Sequence, residues 1–153
     1  FIYQDTKQLI EKTPSFSRWL GKAVTDVAGK LGELYEEPFV NFKVSRNRCL
    51  DLAGKKCKFI ITLDDTYVIN GDLRKFLNVV RGDQFSTSFT LYIQSDDTEY
   101  GSNRIIKSDS GFRYIHRIHE VITDKENINI VIPSQQAHIF DGRFDYMEEC
   151  VNS

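Results

Sequence analysis

Cys57-Lys-Phe-Ile-Ile-Thr-Leu-Asp-Asp-Thr66 is the stretch whose reading decides the fold expected for this chain. An apolar, β-branched run from Phe59 to Leu63 stops abruptly at two adjacent carboxylates, Asp64 and Asp65. A short apolar run bounded by charge has the pattern of a buried strand in an α/β sheet. Open α/β sheets bind ligands just beyond the carboxyl ends of their strands. Two acids placed there are sited to hold a divalent cation and, through it, a phosphate. The same pair also suits a solvated strand-to-loop turn. A second polar cluster, Arg117-Ile118-His119-Glu120, favours the ligand reading.

The bulk composition narrows the function classes. A chain of 153 residues fits one domain and can bury a core, and 41% hydrophobic and 12% aromatic content argue against disorder. A formal net charge of -2 lacks the basic excess of a general nucleic-acid binder. No apolar stretch approaches the roughly 20 residues of a membrane span. The three cysteines, Cys49, Cys57 and Cys150, are odd in number and form no Cys-x-x-Cys pair, which disfavours a zinc knuckle or a disulfide framework. Cys49 and Cys57 read as buried thiols in a reducing, cytoplasmic compartment. The chain opens without methionine in a strand-like run, Phe1-Ile2-Tyr3, with no basic, signal-like start. It therefore reads as a fragment, or as a single domain over 1–153 without its first strand and some loops.

The pattern along the chain is α/β first and strand-rich later. Gln8–Lys12 and, weakly, Phe16–Leu34 have helical character. From Asn41 a helix runs to a stop at Gly54, and Asp72 caps a second helix over Leu73–Val80, with Gly82 fitting its stop. Ser86–Gln94 alternates, with Phe89, Leu91 and Ile93 on one face. Asn103–Lys107 and Asn127–Ile132 are further strands, and Arg113–Ile122 is ambiguous. This order predicts an α/β fold: a mixed sheet, mostly parallel, with antiparallel strands in the second half and helices on both faces.

Three clusters carry chemistry. Neighbouring strand residues point to opposite sides, so only one of the two adjacent acids can face a metal squarely unless the chain turns there. Asp65 is assigned to the metal, and Asp64 to a nucleotide sugar or to the metal through water. His116 and His119 form a His-x-x-His pair that one helical turn could bring to a metal, but the spacing is not that of a zinc protease. His119 is preferred because Glu120 follows it. Each histidine alone also suits a hydrogen-bonded structural role, and His138 reads as a loop residue. Arg46-Asn47, on the helix ahead of the acidic strand, can grip phosphate or a base edge, or serve as ordinary surface charge. Asp5-Thr6 ends the first strand-like run and points to the same rim as Asp64 if the strands are parallel.

In sequence order these pieces are strand-Asp5-Thr6, then Asn41-Phe42 with Ser45-Arg46-Asn47, then Leu63-Asp64-Asp65, then Ile118-His119-Glu120. The order resembles family 2 glycosyltransferases of the nucleotide-diphospho-sugar (GT-A, Rossmann-like) fold. It is most similar to the branch with an Asn-Phe-x-x-x-Arg-Asn segment, an acidic strand end and a late His-Glu, and the resemblance extends to virus-encoded members. It implies a metal-dependent, inverting glycosyltransferase with Mn2+ or Mg2+ as cofactor. The donor would be a nucleotide sugar such as a UDP-sugar, and the acceptor a glycan or glycoprotein. Localisation would be the cytoplasm, the host's for a viral member. Residue by residue, it implies that Asp5, Arg46, Asn47 and Asp64 contact the nucleotide and that Asp65 and His119 hold the metal. Glu120 would be the catalytic base. The chain departs from the family at Asp64-Asp65-Thr66, which replaces Asp-x-Asp, and after Thr6, where a Ser-Thr-Asp loop is missing. Acceptor choice is expected in Gln94–Ser102 and Ser134–Arg143. Two alternatives stand beside this reading: a metal-dependent hydrolase using His116 and His119, and a degenerate, non-catalytic binding module.

Overall fold

A computed structural model describes residues 35, 37–64, 66–116, 122–123 and 128–142. The expected elements at 1–34 and in the tail from 143, together with Cys150, lie outside them. Among the described residues, ten elements follow in order: α1 (Phe42–Ala53), β1 (Phe59–Ile61), β2 (Tyr67–Gly71), α2 (Leu73–Val80), β3 (Ser88–Ser95), β4 (Thr98–Lys107), β5 (Arg113–Tyr114), β6 (Ile122–Thr123), β7 (Asn129–Val131) and β8 (Ala137–Asp141).

Both helices form where their caps predict. The Asn41 side chain accepts from the Val44 N–H at 2.9 Å, and Gly54 ends α1 at φ 63°, where a side chain would be strained. Asp72 accepts from the Lys75 N–H at 2.9 Å and starts α2, whose C-cap is Arg81, one residue before the expected Gly82. Leu73 and Leu77 of α2 are buried against the sheet.

The centre of the molecule is β3. Phe89, Leu91 and Ile93 alternate along it and are each fully buried. They pack with Tyr67, Ile69, Leu73, Leu77, Ile105, Ile132, Ala137 and Ile139 in the larger core cluster. A smaller cluster joins Leu50 of α1 to Ile106, Phe112, Tyr114 and Ile122. Ile105 and Ile106 divide between the two clusters, as strand alternation demands.

The sheet order is β1-β4-β3-β8-β2, with β7 also paired to β3, and β5-β6 forms a separate ribbon. This corrects the expected fold class. Instead of a mostly parallel, Rossmann-like GT-A sheet with helices on both faces, the described residues form a curled, mixed half-barrel with mostly antiparallel pairing. The reason lies in the connections. β3 and β4 are joined by a turn at Asp96–Asp97, closed by the Thr98 hydroxyl donating to the Ser95 carbonyl at 2.8 Å, and so short a link can join only antiparallel strands. Asp96 adopts φ 48°, a conformation that aspartate tolerates better than most residues. The acidic strand itself, β1, is only three residues long, half-buried, antiparallel to β4 and at one end of the sheet order. Among the described residues, parallel pairing is confined to β3 with β7 and with β8.

Other local expectations are also corrected. Gln94–Ser102 is not an open loop but the β3–β4 hairpin, and most of Ser134–Arg143 is a tight turn followed by β8. His138 is a strand residue whose Nδ1 lies 3.0 Å from the Ser134 carbonyl. Cys57 is exposed rather than buried, while Cys49 is half-buried and burial pushes its thiol pKa up.

Gly71 shows how tightly β2 meets β8. It has φ +85°, and a Cβ built on it would stand 2.3 Å from the Gln136 carbonyl oxygen. Gly71→Ala should therefore cost more than about 1 kcal/mol, measured by urea denaturation; an unchanged midpoint would contradict the packing at this edge.

The bend before β3 is set by Asp83. Its carboxylate accepts from the backbone N–H of Phe85 and Ser86, each at 3.0 Å, and from the Ser86 hydroxyl. These bonds, the Ser86 hydroxyl foremost, hold its pKa down at about 2. A lowered native pKa contributes stability that is complete above the ordinary aspartate value near ~4 and is lost as pH falls toward about 2. Thermal melts across that window should show a steep loss in the wild type and a flatter profile in Asp83→Asn. Parallel profiles would show that the bend does not contribute.

Candidate functional site

The tip after β1 is a turn, not a continuing strand. The Tyr67 N–H donates to the Asp64 carbonyl at 3.2 Å. Behind it, the buried Thr66 hydroxyl donates to the Asp141 carboxylate at 2.7 Å, and the Gly142 N–H donates to the Thr66 carbonyl at 2.9 Å. The end of β8 thus clamps the chain immediately after the acidic pair.

Two arginines converge on Asp64. From α1, Arg46 places Nη1 and Nη2 each 3.4 Å from Oδ1. From β4, Arg104 places Nη2 3.5 Å from Oδ2. Arg104 is itself held: Nε donates to the Ser102 hydroxyl at 3.0 Å, and Nη2 donates to the Tyr67 hydroxyl at 3.1 Å. Its guanidinium also lies 5.0 Å from the Tyr67 ring centroid, within the range of cation–π attraction. Burial pushes the Tyr67 phenol pKa well above its usual value, with Arg104 opposing, so this hydroxyl stays protonated at neutral pH.

The third part of the site is β5. The Asn47 Nδ2 donates to the Tyr114 carbonyl at 2.9 Å, and the Tyr114 N–H donates to Asn47 Oδ1 at 2.9 Å. One side-chain amide thereby serves both backbone polar groups of Tyr114, in addition to the pairing of β5 with β6. Arg46 sits 5.5 Å from the Tyr114 ring centroid, so Tyr114 and Asp64 share one guanidinium. Beyond Tyr114 the chain continues through exposed Ile115 and His116 toward 117–121.

Of the residues singled out from sequence, Arg46, Asn47 and Asp64 come together. Asp5, Asp65, His119 and Glu120 lie outside the described residues. Asn47 spends its donor and its acceptor on Tyr114, so in this arrangement it positions a strand. Among the described residues no three His, Cys, Asp or Glu side chains cluster as a metal site would require. Sequence reasoning gave no site role to Tyr67 or Thr66, and Arg104 and Asp141 entered it only as ends of two polar, aromatic-bearing segments, Tyr100–Arg104 and Asp141–Tyr146, that suit stacking on a sugar ring or capping a core edge.

No protein-family model matches the chain, and no curated protein matches it.

Removing the Asn47 amide leaves a backbone donor and acceptor of Tyr114 unpaired at a half-buried position. Asn47→Ala should cost about 1–3 kcal/mol by urea denaturation and accelerate exchange of the Tyr114 amide hydrogen. Unaltered exchange would show that α1 does not anchor β5.

Proposed function

We propose that this chain is a glycosyltransferase domain that moves a sugar from a nucleotide-diphosphate-sugar donor, such as a UDP-sugar, to an acceptor hydroxyl on a glycan or glycoprotein. The supporting observation is the meeting of Arg46, Asp64 and Tyr114: the helix ahead of the acidic strand, the strand's tip and the segment leading to His119-Glu120 share one cluster. The reading rests on that local meeting and not on the sheet architecture.

Arg46 is suited to the donor's diphosphate, because a guanidinium offers a planar fork of donors to phosphate oxygens. Asp64 is suited to a ribose hydroxyl. Asp65 and His119 would hold Mn2+ or Mg2+; when bound, such an ion neutralises charge developing on the leaving diphosphate. Asp64 already faces two guanidiniums, which suits it less to direct ligation and leaves that part to Asp65. Glu120 takes the proton of the acceptor hydroxyl as its oxygen bonds to the anomeric carbon and the bond to the diphosphate breaks. Single displacement of this kind inverts the anomeric configuration.

Asp65→Ala should abolish metal-dependent donor turnover while leaving the far-UV circular dichroism unchanged. In thermal-shift assays of the wild type, a UDP-sugar should raise Tm only when Mn2+ is present, by the linkage of binding to folding. Full turnover by Asp65→Ala, or no nucleotide-dependent shift under any condition, would remove the assignment.

A further inference from the structure

We propose that Asp64 is a stand-in anion: it holds Arg46 and Arg104 together in a diphosphate grip, and the donor's diphosphate displaces it from them. The inference rests on the donor class proposed above and adds Arg104 to the binding residues.

Contact lengths carry the first part. Arg48 meets Glu37 at 2.7–2.9 Å and Arg113 meets Asp51 at 2.8 Å, the usual range for charge-assisted pairs. The Arg46 and Arg104 contacts to Asp64 are 3.4 and 3.5 Å. Yet these side chains are the more sheltered ones, Arg104 at 13% exposure and Arg46 at 27%, against 45% for Arg48 and 53% for Arg113. Shelter strengthens electrostatic attraction and would favour a closer approach if the carboxylate fitted. Both guanidiniums approach one small carboxylate, and neither contact is as short as those of the exposed pairs. A diphosphate has more oxygens over a longer span, so it can meet both.

The backbone at Arg104 carries the second part. On β4, Ile105 pairs with Phe89 and Asn103 pairs with Thr90, so Arg104 is the extra residue of a β-bulge. Bulges re-aim side chains and are over-represented beside active sites. This one is pinned from the opposite side, where the Thr62 N–H and hydroxyl both donate to the Arg104 carbonyl, at 2.8 and 3.2 Å. Ser102 and Tyr67 then fix the guanidinium through Nε and Nη2, while Nη1 has no hydrogen-bond partner among the described residues. The cation is held by Ser102 and Tyr67, and its contact with the carboxylate is longer than either of those hydrogen bonds.

The test is isothermal titration of the chain with inorganic pyrophosphate in the absence of metal. Asp64→Asn removes the competitor and should tighten binding by about five- to tenfold, with Asp64→Ala as a second variant expected to move the same way. Arg104→Gln should weaken binding by about tenfold or more, and Arg104→Lys, which keeps the charge but loses the fork, should fall between. Weaker or unchanged binding in both Asp64 variants would overturn the stand-in role, and wild-type affinity in Arg104→Gln would overturn the grip. These signs are independent of sugar transfer. Failure of UDP-sugar turnover with the pyrophosphate signs intact would sink the transferase reading alone. Normal metal-dependent turnover with the signs absent would sink only this inference.

Discussion

The burial of β3 is the constraint on which the rest of the structure depends. Phe89, Leu91 and Ile93 are all fully buried, and the strand is paired on both sides, to β4 along one and to β7 and β8 along the other. A strand so placed has no freedom of register, because a slip of one residue would turn its three largest apolar side chains away from the core. Its neighbours inherit that fixity. Tyr67 and Ile69 of β2 reach the same cluster although β2 pairs with β8 and not with β3.

The site is built at the point where this fixed register is broken. Full pairing along β4 would keep Arg104 in the regular inward–outward alternation. The extra residue between Ile105 and Asn103 releases it on the β3 side, while on the β1 side the Thr62 N–H still donates to the Arg104 carbonyl, continuing the β1–β4 register. Thr62 lies two residues before Asp64 on the same chain segment. The bond from Thr62 therefore ties the bulged residue to the segment that carries Asp64. From the other side, Asn47 makes two hydrogen bonds to Tyr114, and the adjacent Arg46 reaches both Tyr114 and Asp64. Few of these contacts are strong singly. Their effect is to leave the guanidiniums little choice of position.

What the sequence made legible was local. Both described helices follow from their caps, Asn41 and Asp72, and β3 follows from strict alternation over Phe89, Leu91 and Ile93. What it hid was pairing. Phe59–Leu63 has the apolar run of a central parallel strand, but only Phe59–Ile61 pairs, and it does so antiparallel at the end of the sheet order. An apolar run reports burial, and this one obtains it from the core beneath rather than from strands on both sides. Ala137–Asp141 was unreadable for the opposite reason: its inward residues are Ala137, Ile139 and Asp141, and a buried aspartate at an inward position cancels the apolar signal. Asp141 is tolerated there because Thr66 donates to it. The site followed the same division. Arg46 and Asp64 were found as residue types at suggestive places, whereas Arg104 required knowledge of the bulge.

The turn at Asp64 bears on how two neighbouring acids could divide their work. In a regular strand, adjacent side chains point to opposite sides, and one of two successive aspartates would be wasted for any single ligand. That objection holds only while the chain stays extended. The Tyr67 N–H bonded to the Asp64 carbonyl shows that it does not, and the clamp of Thr66 by Asp141 and Gly142 holds the reversal in place. A carboxylate facing two guanidiniums is poorly suited to a cation, since like charges would crowd it. Asp64 thus serves the arginines, and Thr66, two residues on, is committed to holding the turn.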